Sequence, residues 1–296
     1  MSLFNDNIEK VGVIGLGIVG SRIAEVLRQA GCHVYVWNRT PKSEPNFLSS
    51  PAEVADLADY VQIFVMNGEA LLSVVESMSE KITRRHVIMN HSTVDPDSTK
   101  RAAAIVHGAG GTFLDAPFTG SKMAAEKGAL VYYVGGDPNA LERVRPLLEK
   151  SSKEILPVGG IGDATVLKIV TNMISAATVQ ILTESYALTV AAGIDPAKLA
   201  EALQHNACGS PLTAMKMPTI LAGDYEPHFS LKNMFKDAQF GLSLGTRHKI
   251  DLPVLSATAG SMFKGMQKGW GEEDYSVIAR HYQGQTPAGA APKEKS

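Results

Sequence analysis

The sequence predicts an α/β protein: an N-terminal doubly wound, mainly parallel sheet, one long interdomain helix, and an all-α C-terminal domain. Three observations predict it. The first half alternates short apolar, β-rich runs with helix-periodic segments, as expected of helices packed on both faces of a parallel sheet. From Asp163 to Ala192 nothing breaks a helix, and Gly193 is a natural stop. From there to Tyr282 the chain is helix-rich and the strand rhythm does not return.

Each element follows in order. Val11–Ile14 is a short apolar strand that enters a glycine cluster, and a helix over Ile18–Ala30 ends at Gly31. His33–Trp37 is β-rich. Proline suits a first helical turn, so Pro51–Ala58 is a helix. Strands follow at Val61–Met66, His86–Asn90, Thr112–Asp115 and Val131–Val134, with helices at Ala70–Met78, Asp97–Val106 and Pro138–Lys150. Asp163 is placed to N-cap the long helix, which at about 1.5 Å per residue spans roughly 45 Å. So apolar a helix is expected to be a spine covered by other helices. The tail GQTPAGAAPKEKS is rich in Gly, Pro, Ala and Lys and reads as disordered.

Bulk properties narrow the function. With 45% hydrophobic and 20% charged residues and a net charge of -2, the chain has no global basic field to draw it to nucleic acid or anionic lipid. Cys32 and Cys208 lie outside any metal-ligand or disulfide spacing, so no metal is expected, and a reducing, cytoplasmic setting is. The start MSLFNDNIEK lacks the basic-then-apolar order of a signal peptide. Lys168, Asn172, Gln180 and Glu184 interrupt the long apolar helix, which argues against a membrane span.

Gly15, Gly17 and Gly20 give G-x-G-x-x-G between a strand and a helix, the context of a Rossmann-type dinucleotide grip. Gly15 permits the turn, Gly17 lets pyrophosphate approach the backbone, and Gly20 lets helix and strand pack closely. The helix N-terminus, with Leu16, Ile18 and Val19 in the turn, offers N–H groups to phosphate. The alternative is a plain βα turn. An NAD site usually places an acid about 20 residues on, but here Asn38 stands at the end of the second strand. It does not repel a 2′-phosphate. Arg39 can pair with phosphate and stack on adenine, and Thr40 adds a donor. NADPH/NADP is therefore preferred over NAD; an unliganded loop arginine is the alternative. Lys42 is expected to be a solvated charge. Val65 and Met66, closing the third strand, complete the expected cofactor contacts on this half.

Three further stretches carry candidate chemistry. Ser92 and Thr93 follow the fourth strand, at the carboxyl end where open α/β sheets bind ligands. Thr119, Gly120 and Ser121 offer hydroxyls and backbone N–H groups suited to an anion, with Lys122 adding positive charge beside them. Either stretch could equally be turn and cap chemistry. Lys168 and Asn172 are four apart and share one face of an apolar helix. A lysine there can serve as acid or base, or can snorkel to the surface from the first turns.

In this order the motifs resemble the β-hydroxyacid dehydrogenase family over Lys10 to Tyr282. They are Gly15–Gly20, Ser92–Val94, D-A-P-x-x-G at Asp115–Gly120, and a glycine-rich lead into Lys168 and Asn172. T-G-S-K-M-A-A-E is similar to the glyoxylate/succinic semialdehyde reductase branch. The resemblance implies that Lys168 is the catalytic acid/base and that Asn172 is catalytic and orients substrate. It implies that Ser92, Thr119, Gly120 and Ser121 bind the substrate, and that Thr93 borders nicotinamide and substrate. Lys236 would then lie at the cofactor, and Asp237 and Phe229 at the substrate. It also implies a homodimer or homotetramer acting on a small carboxylate-bearing carbonyl compound.

Three departures stand out. Thr119 replaces the usual serine and Ala164 the last glycine, and Asp163 could hold Lys168 protonated if close. His91 reads as a polar neighbour of the site. Expected domains are 1–162 for NADP binding, 163–192 for the helix, 193–283 for the substrate and dimerisation domain, and 284–296 for the tail. The expected reaction is reduction of an aldehyde or keto acid. Alternatives are oxidation of a β-hydroxy acid, imine reduction (imine reductases generally lack this lysine), or a non-catalytic NADPH-binding module.

Overall fold

A computed structural model of the chain describes residues 9–282. The expected tail at 284–296 lies outside the described residues. Two compact units divide at Lys168 and Ile169, inside the long helix and not at its start.

The first unit runs β1 (Lys10–Ile14), α1 (Gly20–Gln29), β2 (His33–Trp37), α2 (Pro51–Leu57), β3 (Tyr60–Ile63), α3 (Gly68–Met78) and β4 (Val87–Asn90). It continues with α4 (Pro96–Gly108), β5 (Thr112–Asp115), β6 (Phe118–Thr119), α5 (Lys122–Glu126), β7 (Leu130–Gly136), α6 (Pro138–Glu149) and β8 (Ser152–Gly159). The sheet order is β2-β1-β3-β4-β5-β7-β6, with β8 pairing β7. The first five strands are parallel; β7 is antiparallel to β5 and β6 and parallel to β8. Chain order reverses between β1 and β3, so the crevice beyond their carboxyl ends is the ligand position of such sheets.

Apolar faces close the sheet from both sides. Ile23, Leu27, Val144 and Leu148 from α1 and α6 pack on one face, and Val54, Leu71, Val75 and Val106 from α2, α3 and α4 on the other. Side-chain caps followed by proline start α2, α4 and α6 at Ser50–Pro51, Asp95–Pro96 and Asp137–Pro138.

The third strand is shorter than expected and stops at Ile63. The Val65 amide donates to Ser92 Oγ at 2.8 Å, so a side chain takes the amide that a longer strand would have given to a neighbour. Sequence periodicity also misses β6, α5 and β8. In β8 only Ile155 is buried, so this edge strand shows no alternation.

Helix α7 (Asp163–Ala191) begins in the first unit. The second unit continues with α8 (Pro196–Gln204), α9 (Pro211–Ala222), α10 (Leu231–His248), α11 (Pro253–Gln267) and a 3-10 turn at Tyr275–His281. Ala176, Val179 and Leu182 of α7 enter its core with Met217, Met234 and Met262. The chain's own helices leave the opposite side of α7 uncovered. Leu167, Val170, Ile174, Ile181 and Leu188 are 36–72% exposed. Their spacing of three, four, seven and seven makes one continuous seam along the helix.

Asp115, at the end of β5, fixes where α7 starts. Its Oδ2 accepts the amides of Gly162 (3.0 Å) and Thr165 (2.8 Å), and its Oδ1 accepts the Thr165 hydroxyl (2.7 Å). Burial still pushes this carboxyl up to about 6. His91, stacked on Phe64 and donating from Nδ1 to Ala116 O at 2.6 Å, is pushed down by burial to about 4.

As pH falls from 6 to 4 these two groups oppose each other. The folded state holds the Asp115 proton more tightly than the unfolded chain does, which favours folding. It holds the His91 proton less tightly, which disfavours folding. Asp115→Asn keeps an acceptor for both amides but removes the titration. Urea unfolding of this variant should lose roughly 2 kcal/mol more than wild type between pH 6 and 4. Parallel pH profiles would assign the shift elsewhere.

Candidate active site

The three glycines of the first turn differ in what they are for. Gly15 has φ +94, donates its amide to Trp37 O at 2.8 Å, and would place a Cβ 2.0 Å from Phe64 O. A Cβ on Gly20 would lie 1.9 Å from Gly15 O. Packing of the chain itself demands both. A Cβ on Gly17 would meet nothing within 4 Å, so the fold does not need glycine there. That open space lies where α1 begins, and α1 has neither a side-chain cap nor an acid in its first turn. Uncapped helix N–H groups beside an open glycine are what a dinucleotide pyrophosphate requires, and the residues present fit it.

Two side chains hold the turn from behind. The Leu16 amide donates to Asn38 Oδ1 at 2.9 Å, and Lys42 Nζ donates to Leu16 O at 2.6 Å. Asn38 Nδ2 donates to Thr40 O at 2.7 Å. Asn38 therefore does more than avoid negative charge. An aspartate would set two acceptors against each other at Thr40 O. Lys42 is exposed, as expected, and its ammonium is in addition seated on the glycine turn. Arg39 and Thr40 are exposed, and Arg39 makes no ion pair among the described residues.

Other first-unit candidates divide into surface and framework. Ile18 and Met66 are 44% and 52% exposed, Val19, Val65 and Thr93 are half-buried, and all lie just beyond the carboxyl ends of β1, β3 or β4. Ser92 is buried and its hydroxyl is committed to β3, accepting from Val65 N and donating to Ile63 O. It thereby helps hold the ends of β3 and β4 together. Thr119 ends β6, Gly120 turns at φ +138, and Ser121 Oγ caps α5 by accepting Ala124 N at 3.4 Å. The Ser121 cap uses a lone pair and leaves the hydroxyl proton to donate. Arg22 Nε, 2.7 Å from Glu126 Oε1, ties α5 to α1. Lys168 is half-buried in the early turns of α7. Asp163 spends Oδ2 on Gly160 N at 2.7 Å, and five residues' separation turns it away from Lys168.

In the second unit, Asn172, Asp237 and Lys236 converge. Asn172 is buried and its Nδ2 donates to Asp237 Oδ2 at 2.6 Å. Lys236 Nζ is 3.3 Å from Asp237 Oδ1 and 5.3 Å from the centroid of Phe240. Phe229 is half-buried, edge-on to Tyr275 with centroids 6.2 Å apart. Sequence reasoning missed the buried pair Lys216–Asp274, whose carboxylate binds the amide of Phe229. A lone lysine within the apolar run of α9 was its only trace in the sequence.

Comparison with known proteins gives the family. Residues 10–160 match the family described as NAD binding domain of 6-phosphogluconate dehydrogenase, and residues 162–282 that described as NAD-binding of NADP-dependent 3-hydroxyisobutyrate dehydrogenase. Glyoxylate/succinic semialdehyde reductase 2, chloroplastic, of Arabidopsis thaliana is 31% identical over 280 residues, covering 90% of this chain and 78% of that protein. The chain belongs to the β-hydroxyacid dehydrogenase family. The 2-hydroxy-3-oxopropionate reductase of Escherichia coli K12 is 28% identical, covering 92% of this chain and 96% of its own length. A Mycobacterium tuberculosis 3-hydroxyisobutyrate dehydrogenase solved with L-serine shares the fold, with TM-score 0.86, 21% identity and coverage of 94% of this chain and all of that one. This β-hydroxyacid dehydrogenase is thus an NAD(P)-dependent oxidoreductase acting on CH–OH groups.

The glycine geometry separates folding from binding. Gly17→Ala should keep the wild-type melting temperature while weakening dinucleotide binding at least about tenfold, measured by fluorescence titration. Gly15→Ala and Gly20→Ala should lower stability instead, by roughly 1–3 kcal/mol. Unchanged binding by Gly17→Ala would remove the cradle assignment.

Proposed function

We propose that the enzyme is an NADPH-dependent reductase that converts a small aldehyde or keto acid, of the semialdehyde or glyoxylate type, to the hydroxy acid. The observation that carries the reading is one polar pair on an apolar helix: Lys168 and, one turn later, Asn172 with its amide anchored on Asp237. When bound, the reduced nicotinamide supplies a hydride to the carbonyl carbon. Lys168 donates the proton that the developing alkoxide needs and stabilises its charge before transfer. Asn172, held by Asp237, orients the reacting group. The Thr119 and Ser121 hydroxyls and the Gly120 and Ser121 amides take the carboxylate. Lys236 offsets the charge of Asp237 and lies at the cofactor. In the reverse direction Lys168 must be neutral to accept the hydroxyl proton, so alkaline pH favours oxidation.

Preference for the phosphorylated dinucleotide is supported by Asn38, whose amide an acid cannot replace at Thr40 O, and by the exposed guanidinium of Arg39. A second copy of the chain is the proposed cover for the apolar seam of α7, which is too continuous to suit water. The names of the reductases in Arabidopsis thaliana and Escherichia coli support the substrate class.

The test follows oxidation of NADPH and NADH with glyoxylate, succinic semialdehyde, methylmalonate semialdehyde, tartronate semialdehyde and an uncharged aldehyde. NADPH and the acids should win; equal use of the uncharged aldehyde would remove the carboxylate site. Lys168→Ala should lower kcat by about 10²- to 10⁴-fold. Arg39→Ala should raise KM for NADPH by about tenfold or more and KM for NADH far less, since only the adenine contact is shared. Light scattering should give a dimer or tetramer, and Ile181→Glu with Leu188→Glu should break it. A wild-type monomer contradicts the proposed cover.

A further inference from the structure

Arg22 is the third residue of α1, beside the glycine turn. Its Nε donates to Glu126 Oε1 of α5 at 2.7 Å, and its Nη1 donates to the carbonyl oxygen of Ile18, four residues back in the turn itself. The two side chains are 25% and 46% exposed. An ion pair this open to water adds little to stability, because two long side chains give up freedom to make it. Its importance lies in what it does to the turn.

The turn's carbonyls are held one after another. Lys42 Nζ donates to Leu16 O at 2.6 Å, Ser21 Oγ to Gly17 O at 2.8 Å, and Arg22 to Ile18 O. Val19 O then accepts the Ile23 amide at 3.0 Å, where the helical ladder takes over. A trans peptide directs its N–H opposite to its C=O. Fixing a carbonyl therefore fixes the aim of the next residue's amide. The amides of Gly17, Ile18 and Val19, whose aim is set in this way, donate to nothing among the described residues. Successive amides of this kind make an anion-binding nest, and the open space at Gly17 lies beside them. A long side chain left to itself samples many rotamers. Glu126 takes another edge of the guanidinium and keeps Arg22 on Ile18 O. It also offsets the charge of Arg22, which suits a group that holds backbone better than one that pairs with phosphate.

We infer that Arg22 is a positioning residue for the dinucleotide and Glu126 its anchor: together they hold the Ile18–Val19 peptide so that the Val19 amide faces the pyrophosphate. The inference rests on the cradle at Gly17. It needs neither the 2′-phosphate of the cofactor nor any contact with the substrate. Pyrophosphate is common to NADPH and NADH, so the pair should matter equally for both.

Fluorescence titration of the full chain with NADPH and with NADH, at 0.1 and 1 M salt, tests it. The screening length falls from about 10 to about 3 Å over that range, which removes attraction through space. Arg22→Met keeps the stem and removes the donor. It should raise Kd for both dinucleotides about fivefold at either salt concentration, with the melting temperature of the unliganded protein unchanged. A loss confined to low salt means charge attraction alone and overturns the inference. So does a loss for one dinucleotide only, or no loss. Glu126→Ala releases Arg22 without altering it and should raise Kd about threefold at 1 M salt. Unchanged or tighter binding there overturns the inference, because a guanidinium acting directly on phosphate would gain from losing its carboxylate. In a Gly17→Ala background, Arg22→Met should raise Kd by less than about twofold, since both substitutions act on one pyrophosphate. A full loss in that background puts the effect of Arg22 elsewhere and overturns the inference. If Gly17→Ala alone binds as the wild type does, the cradle assignment fails first and the inference with it.

Discussion

A buried helix start needs partners for its first amides, and here one carboxylate supplies them. Asp115 closes β5 and opens α7, collecting two amides and a hydroxyl on its two oxygens. Thr165 passes the link on, its hydroxyl 3.2 Å from that of Thr99 in α4. The helix N-terminus offsets part of the expense of keeping a charge out of water. The direction in which α7 leaves the sheet, and hence where Lys168 stands on its second turn, is set by this join. The aspartate of D-A-P-x-x-G is thus a structural residue.

Side chains hold backbone on the cofactor side too. A glycine turn has no side chains of its own to fix its peptides, so its neighbours must do it. Asn38 and Lys42 take the N–H and C=O of Leu16, and Ser92 takes the amide of Val65. Polar residues close to a ligand position are here occupied with backbone. Spacing cannot tell such a residue from one that meets a ligand, because the deciding partner lies 22 to 27 residues away in each case.

What could be read from sequence follows from how local the cause is. Caps joined to proline mark the starts of α2, α4 and α6, and again of α8 and α9 at Asp195–Pro196 and Ser210–Pro211, because both partners sit within one turn. Apolar strands buried on both faces were equally legible. The polar edge strand β8 was not, since its pairing with β7 leaves almost no burial to imprint on its residues. At the site, Asn172, Lys236 and Asp237 were named by resemblance and do meet, although 65 residues separate the first from the last. Lys216 and Asp274, 58 residues apart, carried no motif and became visible only once folded. The seam on α7 was half legible: apolar residues announced a helix that needs cover, but not which side of it lacked any.

The pinned Leu16 peptide also bears on time. A phosphate loop that must order itself around its ligand loses conformational freedom on every encounter, and association slows accordingly. Here Asn38 and Lys42 hold the turn in shape with both of its peptide groups already bonded. Little ordering entropy is left to lose when the dinucleotide arrives. Cofactor capture then runs at the pace of diffusion and orientation, and residence is governed by how fast the contacts break. In an enzyme that must exchange spent for fresh cofactor every cycle, a rigid turn shifts control of turnover from entry to exit.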